Sequence, residues 1–235
     1  MLPSNLLAFA VTLTLALIWL RVNDFAAHKG WISSSLSRKI IHIGTGPIFV
    51  ACWLLFQNTL SARYLAALIP LSITAQFALV GTGVIKDQSA VQAMSRTGDR
   101  REILRGPLYY GIVFVLITVL YWYDTPAGIV ALMLMCGGDG LADVLGRRFG
   151  KSKLPWNRGK SWIGSLGMLI GGWFFSAAIL ALFVSAGIFQ TNISSYLIPL
   201  LWISLAATLV ESLPLKDIDN ITITLTALLV GRLLL

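Results

Sequence analysis

Polarity along this chain comes in long blocks. Eight mostly apolar runs cover roughly residues 3–20, 40–57, 62–85, 107–123, 125–146, 162–187, 194–213 and 219–235, with short polar connections between them. A helix needs about 20 mostly apolar residues to cross the hydrocarbon of a bilayer. The pattern therefore predicts an all-α, polytopic transmembrane bundle of about eight (seven to eight) spanning helices, the last of them short. The fifth run differs from the others because it carries two carboxylates, Asp139 and Asp143. There is no internal repeat and no low-complexity segment, so residues 1–235 read as one integral-membrane domain.

Composition agrees. Of 235 residues 57% are hydrophobic and 12% charged, and the mean hydropathy is +0.80. A soluble domain carries about 25% charged residues, so this chain cannot cover itself for water. The first run has no Lys or Arg before it and no small-x-small cleavage pattern after it, and reads as a retained transmembrane helix rather than a signal peptide. Cys52 and Cys136 both lie inside apolar runs. Core packing is the expectation for them, and no disulfide framework or metal-binding spacing is present.

Charge adds orientation. The net charge is +8, from 18 Lys and Arg against 10 Asp and Glu. Sixteen of the 18 basic residues fall in the first, third, fifth and seventh connections; Arg63 and Arg232 are the exceptions. The excess of Lys and Arg in cytoplasmic loops puts those connections in the cytoplasm and both termini outside. An excess of basic charge can serve nucleic acid, anionic lipid or an anionic substrate. Its confinement to alternate loops is explained largely by topology, and nucleic acid is not an expected partner.

The informative stretch begins Gly137-Gly138-Asp139-Gly140-Leu141-Ala142-Asp143-Val144-Leu145-Gly146-Arg147-Arg148-Phe149-Gly150. Asp139 and Asp143 are four residues apart and share a helix face. An unpaired carboxylate inside a membrane helix costs roughly 2.5–3.5 kcal/mol, so two on one face ask for a cation. Mg²⁺ is a natural candidate, being bound by one or two carboxylates together with substrate phosphates. Gly146 and Gly150 continue the face and would let a bulky ligand approach the backbone. Six basic residues then fall within 14 positions, Arg147 to Lys160, and such side chains neutralise phosphate oxygens. Together these groups predict a nucleoside triphosphate site. No GxxxxGK[ST] occurs, so it is not a P-loop. The plainer alternative is a basic cytoplasmic loop whose cations pair structurally with the two aspartates.

Three further patches face the same side. Glu211, Asp217 and Asp219 with Asn220 follow the seventh run and offer a second metal ligand, a base, or ordinary interfacial caps. Arg38 and Lys39 precede His42, which would bind phosphate or relay a proton, or simply be a hydrogen-bonded interfacial histidine. The loop from Ser95 to Tyr110, with Arg96 and Arg100, alternates in charge and argues for local pairing as much as for ligand binding.

These segments, at 138–150, at Lys153-Leu154-Pro155-Trp156-Asn157-Arg158-Gly159-Lys160-Ser161-Trp162-Ile163-Gly164-Ser165, at Arg38-Lys39 with His42, at Ser95–Tyr110, and at Glu211-Ser212-Leu213-Pro214 with Asp219-Asn220, resemble the phytol kinase branch of the polyprenol kinase family. The resemblance covers about residues 38–220. It implies a CTP-dependent kinase for a long-chain isoprenoid alcohol such as phytol, geranylgeraniol or farnesol, whose product can feed tocopherol and phylloquinone synthesis. The wider superfamily holds dolichol kinases and, more distantly, CDP-diacylglycerol synthases. Those often have Lys-Thr-x-Glu-Gly where this chain has Lys160-Ser161-Trp162-Ile163-Gly164, and the absent Glu at Ile163 favours the phytol kinase branch.

The implied arrangement has Asp139 and Asp143 on Mg²⁺. Lys151, Lys153, Arg158 and Lys160 bind the triphosphate, with Gly146, Arg147, Gly150, Asn157 and Ser161 in the same nucleotide-binding stretch. The hydroxyl proton would go to Glu211, Asp219 or His42. The unextended N-terminus fits a bacterial chain, cyanobacteria included, placed in a cytoplasmic or thylakoid membrane. A cytidylyltransferase acting on a lipid phosphate would use the same groups, but would release pyrophosphate rather than CDP. A transporter would place its polar groups near mid-membrane, whereas here they gather at one face.

Overall fold

The computed structural model describes residues 1–95, 97–215 and 218–235, without the side chains at 24, 34, 35 and 93. Among the described residues the chain is helical, in ten α-helices. They are α1 (Asn5–His28), α2 (Ser34–Cys52), α3 (Leu60–Thr82), α4 (Gln88–Met94), α5 (Gly106–Leu120), α6 (Pro126–Met133), α7 (Asp139–Phe149), α8 (Trp162–Ser185), α9 (Ile193–Glu211) and α10 (Asp219–Leu234). Short 3₁₀ turns lie at Trp53–Leu55 and Arg100–Leu104, and a π-helical turn, Leu134–Gly138, joins α6 to α7.

Local chemistry sets the helix ends. The side chains of Ser4, Ser161 and Asn192 accept hydrogen bonds from the backbone N–H groups of Leu7, Gly164 and Ser194, at 3.2, 3.2 and 3.1 Å. A polar side chain before the first turn satisfies a donor that the helix itself cannot. α3 stops at Gly83, whose φ of +85° is the left-handed conformation glycine adopts without strain.

Each of the eight apolar runs coincides with a helical segment, though fewer than eight meet the length and apolarity of a span outright. Six helices among the described residues are long and apolar enough to cross a membrane: Asn5–His28, Leu60–Thr82, Arg100–Leu120, Pro126–Phe149, Trp162–Ser185 and Ile193–Glu211. α10 has 16 residues, about 24 Å at 1.5 Å per residue, short of the roughly 30 Å hydrocarbon thickness. α2 opens on a polar turn holding Arg38 and Lys39, which dilutes its apolar length.

The continuous element Pro126–Phe149 forms the central pillar. Every residue from Ala127 to Gly138 is buried. α8 lies along it, and glycines bring the two backbones together: a Cβ on Gly171 would lie 3.0 Å from the Gly137 carbonyl, and one on Gly167 3.1 Å from that of Leu141. Small residues at such a seam let helices associate by close packing where lipid offers no hydrophobic drive. α9 packs on α8, and α10 packs on α9 and α6. On the other flank α1 pairs with α2 and α3 with α5. A cleft between these two pairs leads to the end of the pillar, where Asp139 emerges.

Candidate active site

The site is assembled where the pillar ends. Asp139 opens α7, directly after the π turn. Such turns are rare and often sit at functional positions. Asp143 is one helical turn further on. Although they share a face, the two carboxylates have different partners. Asp143 is closed off: Oδ1 accepts from Arg147 Nε at 2.8 Å and Oδ2 lies 2.6 Å from Lys39 Nζ. Asp139 faces His42, whose Nε2 is 3.7 Å from Oδ2, beyond hydrogen-bond reach.

His42 is fixed from its other side. Its ring lies against that of Tyr110, with centroids 4.5 Å apart. The Tyr110 hydroxyl donates to the His42 carbonyl at 2.9 Å and sits 3.2 Å from Cys136 Sγ. Tyr110 thus ties α5, α2 and the π turn together, a role with no signal in the sequence pattern.

The 150–161 connection brings in the basic side. Gly150 lets it leave α7: a Cβ there would run into the Gly146 carbonyl and the Ser161 side chain. The glycine face read as room for a ligand is therefore partly filled by the chain itself. Ser161 is buried as the N-cap of α8. The loop pairs back on itself between Lys153 and Ser161. It docks on the end of α9, where Asn157 Nδ2 donates to the Ser212 carbonyl at 3.1 Å and Trp156 Nε1 to Ser212 Oγ at 3.2 Å.

That docking delivers Lys160 to Glu211, with which it forms an ion pair; Asp219 Oδ2 is 3.9 Å from the same ammonium. Burial alone would pull the Lys160 pKa down. The carboxylates of Glu211, Asp139 and Asp219 outweigh it and hold the ammonium above its ordinary value. Asn220 Nδ2 donates to the Gly106 carbonyl at 3.2 Å, fastening α10 to α5.

A single cavity of about 1530 Å³ joins these groups. Its polar wall holds Arg38, Lys39, His42, Asp139, Asp143, Gly146, Arg147, Gly150, Lys153, Asn157, Lys160, Ser161, Glu211, Asp219 and Asn220. The volume exceeds the roughly 300–1,000 Å³ of a typical small-molecule pocket, leaving room for two ligands. Not every expected residue comes to it. Lys151 and Arg158 are exposed on the loop, outside the cavity wall. Arg100 lies against the Gly83 turn and lines a separate space of about 500 Å³. Arg96 and Asp217 fall outside the described residues. Arg38 reaches the cavity while donating to the Ser95 carbonyl at 2.8 Å.

The donor set can be weighed against Mg²⁺. Among the described residues no three His, Cys, Asp or Glu side chains are placed to enclose a metal by themselves, and both oxygens of Asp143 are engaged. Glu211 Oε2, His42 Nε2 and Asp143 Oδ2 are buried without a hydrogen-bond partner among the described residues, the last of them in ion-pair contact with Lys39. With Asp139, the first two fit an ion that arrives on a phosphate chain and needs only one or two protein carboxylates.

Chemically, the cavity offers cations for phosphate oxygens, carboxylates for a metal or a proton, and an apolar continuation. A probable chloroplastic phytol kinase of Triticum aestivum is 43% identical over 216 residues, covering 91% of this chain and 72% of the relative. The chloroplastic farnesol kinase of Arabidopsis thaliana is 40% identical over 233 residues, 98% of this chain and 76% of the relative. Phytol kinase 1, chloroplastic, from the same plant is 39% identical over 204 residues, 86% and 67%. No protein-family profile and no solved structure matches the chain. With relatives this similar over most of both lengths, the chain belongs to the phytol kinase family and is a kinase, a phosphotransferase with an alcohol acceptor.

Proposed function

We propose that this kinase transfers the γ-phosphoryl group of CTP to the hydroxyl of a long-chain isoprenoid alcohol, phytol or a related prenol such as geranylgeraniol or farnesol, at the cytoplasmic membrane face. One observation carries the reading: a single cavity runs from a cluster of cations and carboxylates onto apolar helix walls. A water-soluble triphosphate and a lipid alcohol need such a meeting place. The relatives' names, phytol kinase and farnesol kinase, supply the class of alcohol.

In the reaction the alcohol oxygen attacks the γ-phosphorus and the bond to the bridging oxygen breaks. CDP leaves, and the hydroxyl proton passes to a carboxylate, to His42 or to water. Phosphoryl transfer relies mainly on positioning and charge. Lys160, Lys153 and Arg147 would hold phosphate oxygens, and Lys39 and Arg38 would complete the basic wall. Asp139 and Glu211 would hold Mg²⁺ brought in with the nucleotide; the ion would neutralise charge on the β- and γ-oxygens. Asp143 keeps Lys39 and Arg147 in place and is a positioning residue in this reading. The concentration of Lys and Arg in alternate connections supports eight spans, α2 and α10 included, with this end of the bundle in the cytosol.

The test is an assay of the purified protein with labelled CTP, ATP, GTP and UTP against phytol, farnesol and geranylgeraniol, with and without Mg²⁺. The expected result is a prenyl monophosphate and CDP, formed with CTP and lost on chelation. Equal turnover of all four nucleotides would remove the CTP assignment, and activity in a chelator would remove the metal.

A further inference from the structure

The polar end of the cavity accounts for phosphate and hydroxyl. The remainder runs between α1, α2, α3 and α5, and its walls are stripes at helical spacing: Thr12 and Ala16 on α1, Thr45 and Phe49 on α2, Ile69 and Ile73 on α3, Gly111 and Phe114 on α5. Four helices that turn apolar stripes toward one another, yet leave a space between them, enclose a ligand rather than a core.

That space has a floor. Phe49 and Phe114 are buried, with ring centroids 5.8 Å apart. Beneath them Phe49 meets Trp53 at 6.1 Å, Trp53 stacks on Trp122 at 4.9 Å, and Phe56 packs on Trp122 at 5.8 Å. Trp53, Trp122 and Phe56 are fully buried. From His42 to Phe49 is seven residues along α2, about 10 Å of depth at 1.5 Å per residue, shorter than an extended farnesyl or phytyl tail, so a longer tail has to turn where it meets the two rings.

We propose that this arm holds the hydrocarbon tail of the alcohol and that Phe49 and Phe114 limit its length. The inference rests on the kinase reading. The occupant is a linear isoprenoid chain because the walls of the arm are mostly apolar and continuous with the wall carrying Asp139 and His42, where the hydroxyl reacts. The relatives act on alcohols that differ in length: farnesol has three isoprene units and phytol four. A fixed floor is a direct way to discriminate within such a series, since each added or missing methylene in an apolar pocket changes kcat/KM by roughly 10-fold or more.

The experiment measures kcat/KM for geraniol, farnesol, geranylgeraniol and a five-unit prenol, a series in which length alone varies. Phe49→Ala and Phe114→Ala are expected to raise the ratio for the longest alcohol over farnesol by about tenfold. Ile73→Phe, which fills the arm at a half-buried position, is expected to lower that ratio similarly while sparing geraniol. All alcohols changing in parallel, or ratios constant in all three variants, would overturn the floor. A readout independent of turnover separates this proposal from the kinase reading. A farnesol analogue with a photoreactive diazirine at its far end should label Thr45, Phe49, Trp53, Gly111 or Phe114 of the wild-type protein, the residues that line the arm and its floor. Labelling confined to outward positions such as Leu116 and Leu120 would overturn the arm, even if the enzyme phosphorylates prenols. Labelling of the arm by a protein that phosphorylates none would uphold the pocket and sink the kinase chemistry.

Discussion

Two clusters of opposite charge close the two ends of this bundle, and they are built differently. At the end away from the cavity, Arg63 Nη2 lies 2.9 and 2.7 Å from the two oxygens of Asp124, and Nη1 donates to the Val119 carbonyl at 3.3 Å. One cation meets one anion in a two-toothed grip that ties α3 to the 121–125 turn. At the cavity end, Lys160 is shared among Glu211, Asp219 and the field of Asp139, and a buried Glu211 oxygen is left over. The Arg63–Asp124 pair balances its charge one to one, although Arg63 Nε stays buried without a hydrogen-bond partner among the described residues. A cluster with surplus carboxylate lies beside further cations along the same wall, and in the proposed reading a metal-bound triphosphate would supply both missing charges.

This contrast can be broken by substitution. Asp139→Asn should cause the largest loss, about 100-fold or more in kcat, comparable to removing one preorganised electrostatic contact to a transition state. The protein should still insert and remain helical by circular dichroism. Full activity would refute the assignment of the cavity end. Lys160→Ala should cost nearly as much activity and also stability, up to about 3 kcal/mol, because it leaves Glu211 buried and unpaired. Adding Glu211→Gln should restore much of the melting temperature but none of the activity; recovery of activity would make Lys160 a structural residue only. Asp143→Asn should be milder, about tenfold, and should appear in KM for the nucleotide more than in kcat, since Asp143 acts through Lys39 and Arg147. Arg63→Gln should leave kcat/KM essentially unchanged and lower stability by about 1 kcal/mol or less, the usual worth of a partly exposed pair. A catalytic defect there would erase the distinction between the two ends.

Much of this was legible in the sequence, for identifiable reasons. Apolar blocks map onto helices because a bilayer demands long uninterrupted stretches, and all eight blocks are helical. Asp139 stood out because a carboxylate inside an apolar run is costly. The sequence also grouped Lys160 with phosphate binding. It could not show that Lys160 meets Glu211, 51 positions away, since that contact depends on Asn157 and Trp156 docking the loop on Ser212. Nor could spacing separate Asp139 from Asp143, because helical periodicity assigns both to one face and says nothing of what stands opposite. Six helices among the described residues meet the length and apolarity of a span outright, and the polar start of α2 and the brevity of α10 are matters of degree that composition alone does not rank. The apolar arm was invisible for a different reason. A stripe that faces a cavity and a stripe that faces lipid have the same composition, so Ile73 and Phe114 look like any other membrane-facing residues until the helices are placed.

The π-helical turn at Leu134–Gly138 has a consequence for how this chain tolerates change. An α-helix advances about 100° per residue, and a π turn accommodates an extra residue without breaking the helix. The pillar above it and α7 below it are therefore two rods joined with a phase offset. Loss of one residue in that turn would leave a straight helix, equally apolar and equally able to insert, but with Asp139 and Asp143 swung by roughly a quarter-turn toward neighbouring helices. Membrane residence and chemistry are in this way written in separate registers of one segment, and the angle between them is set by five residues that carry no charge.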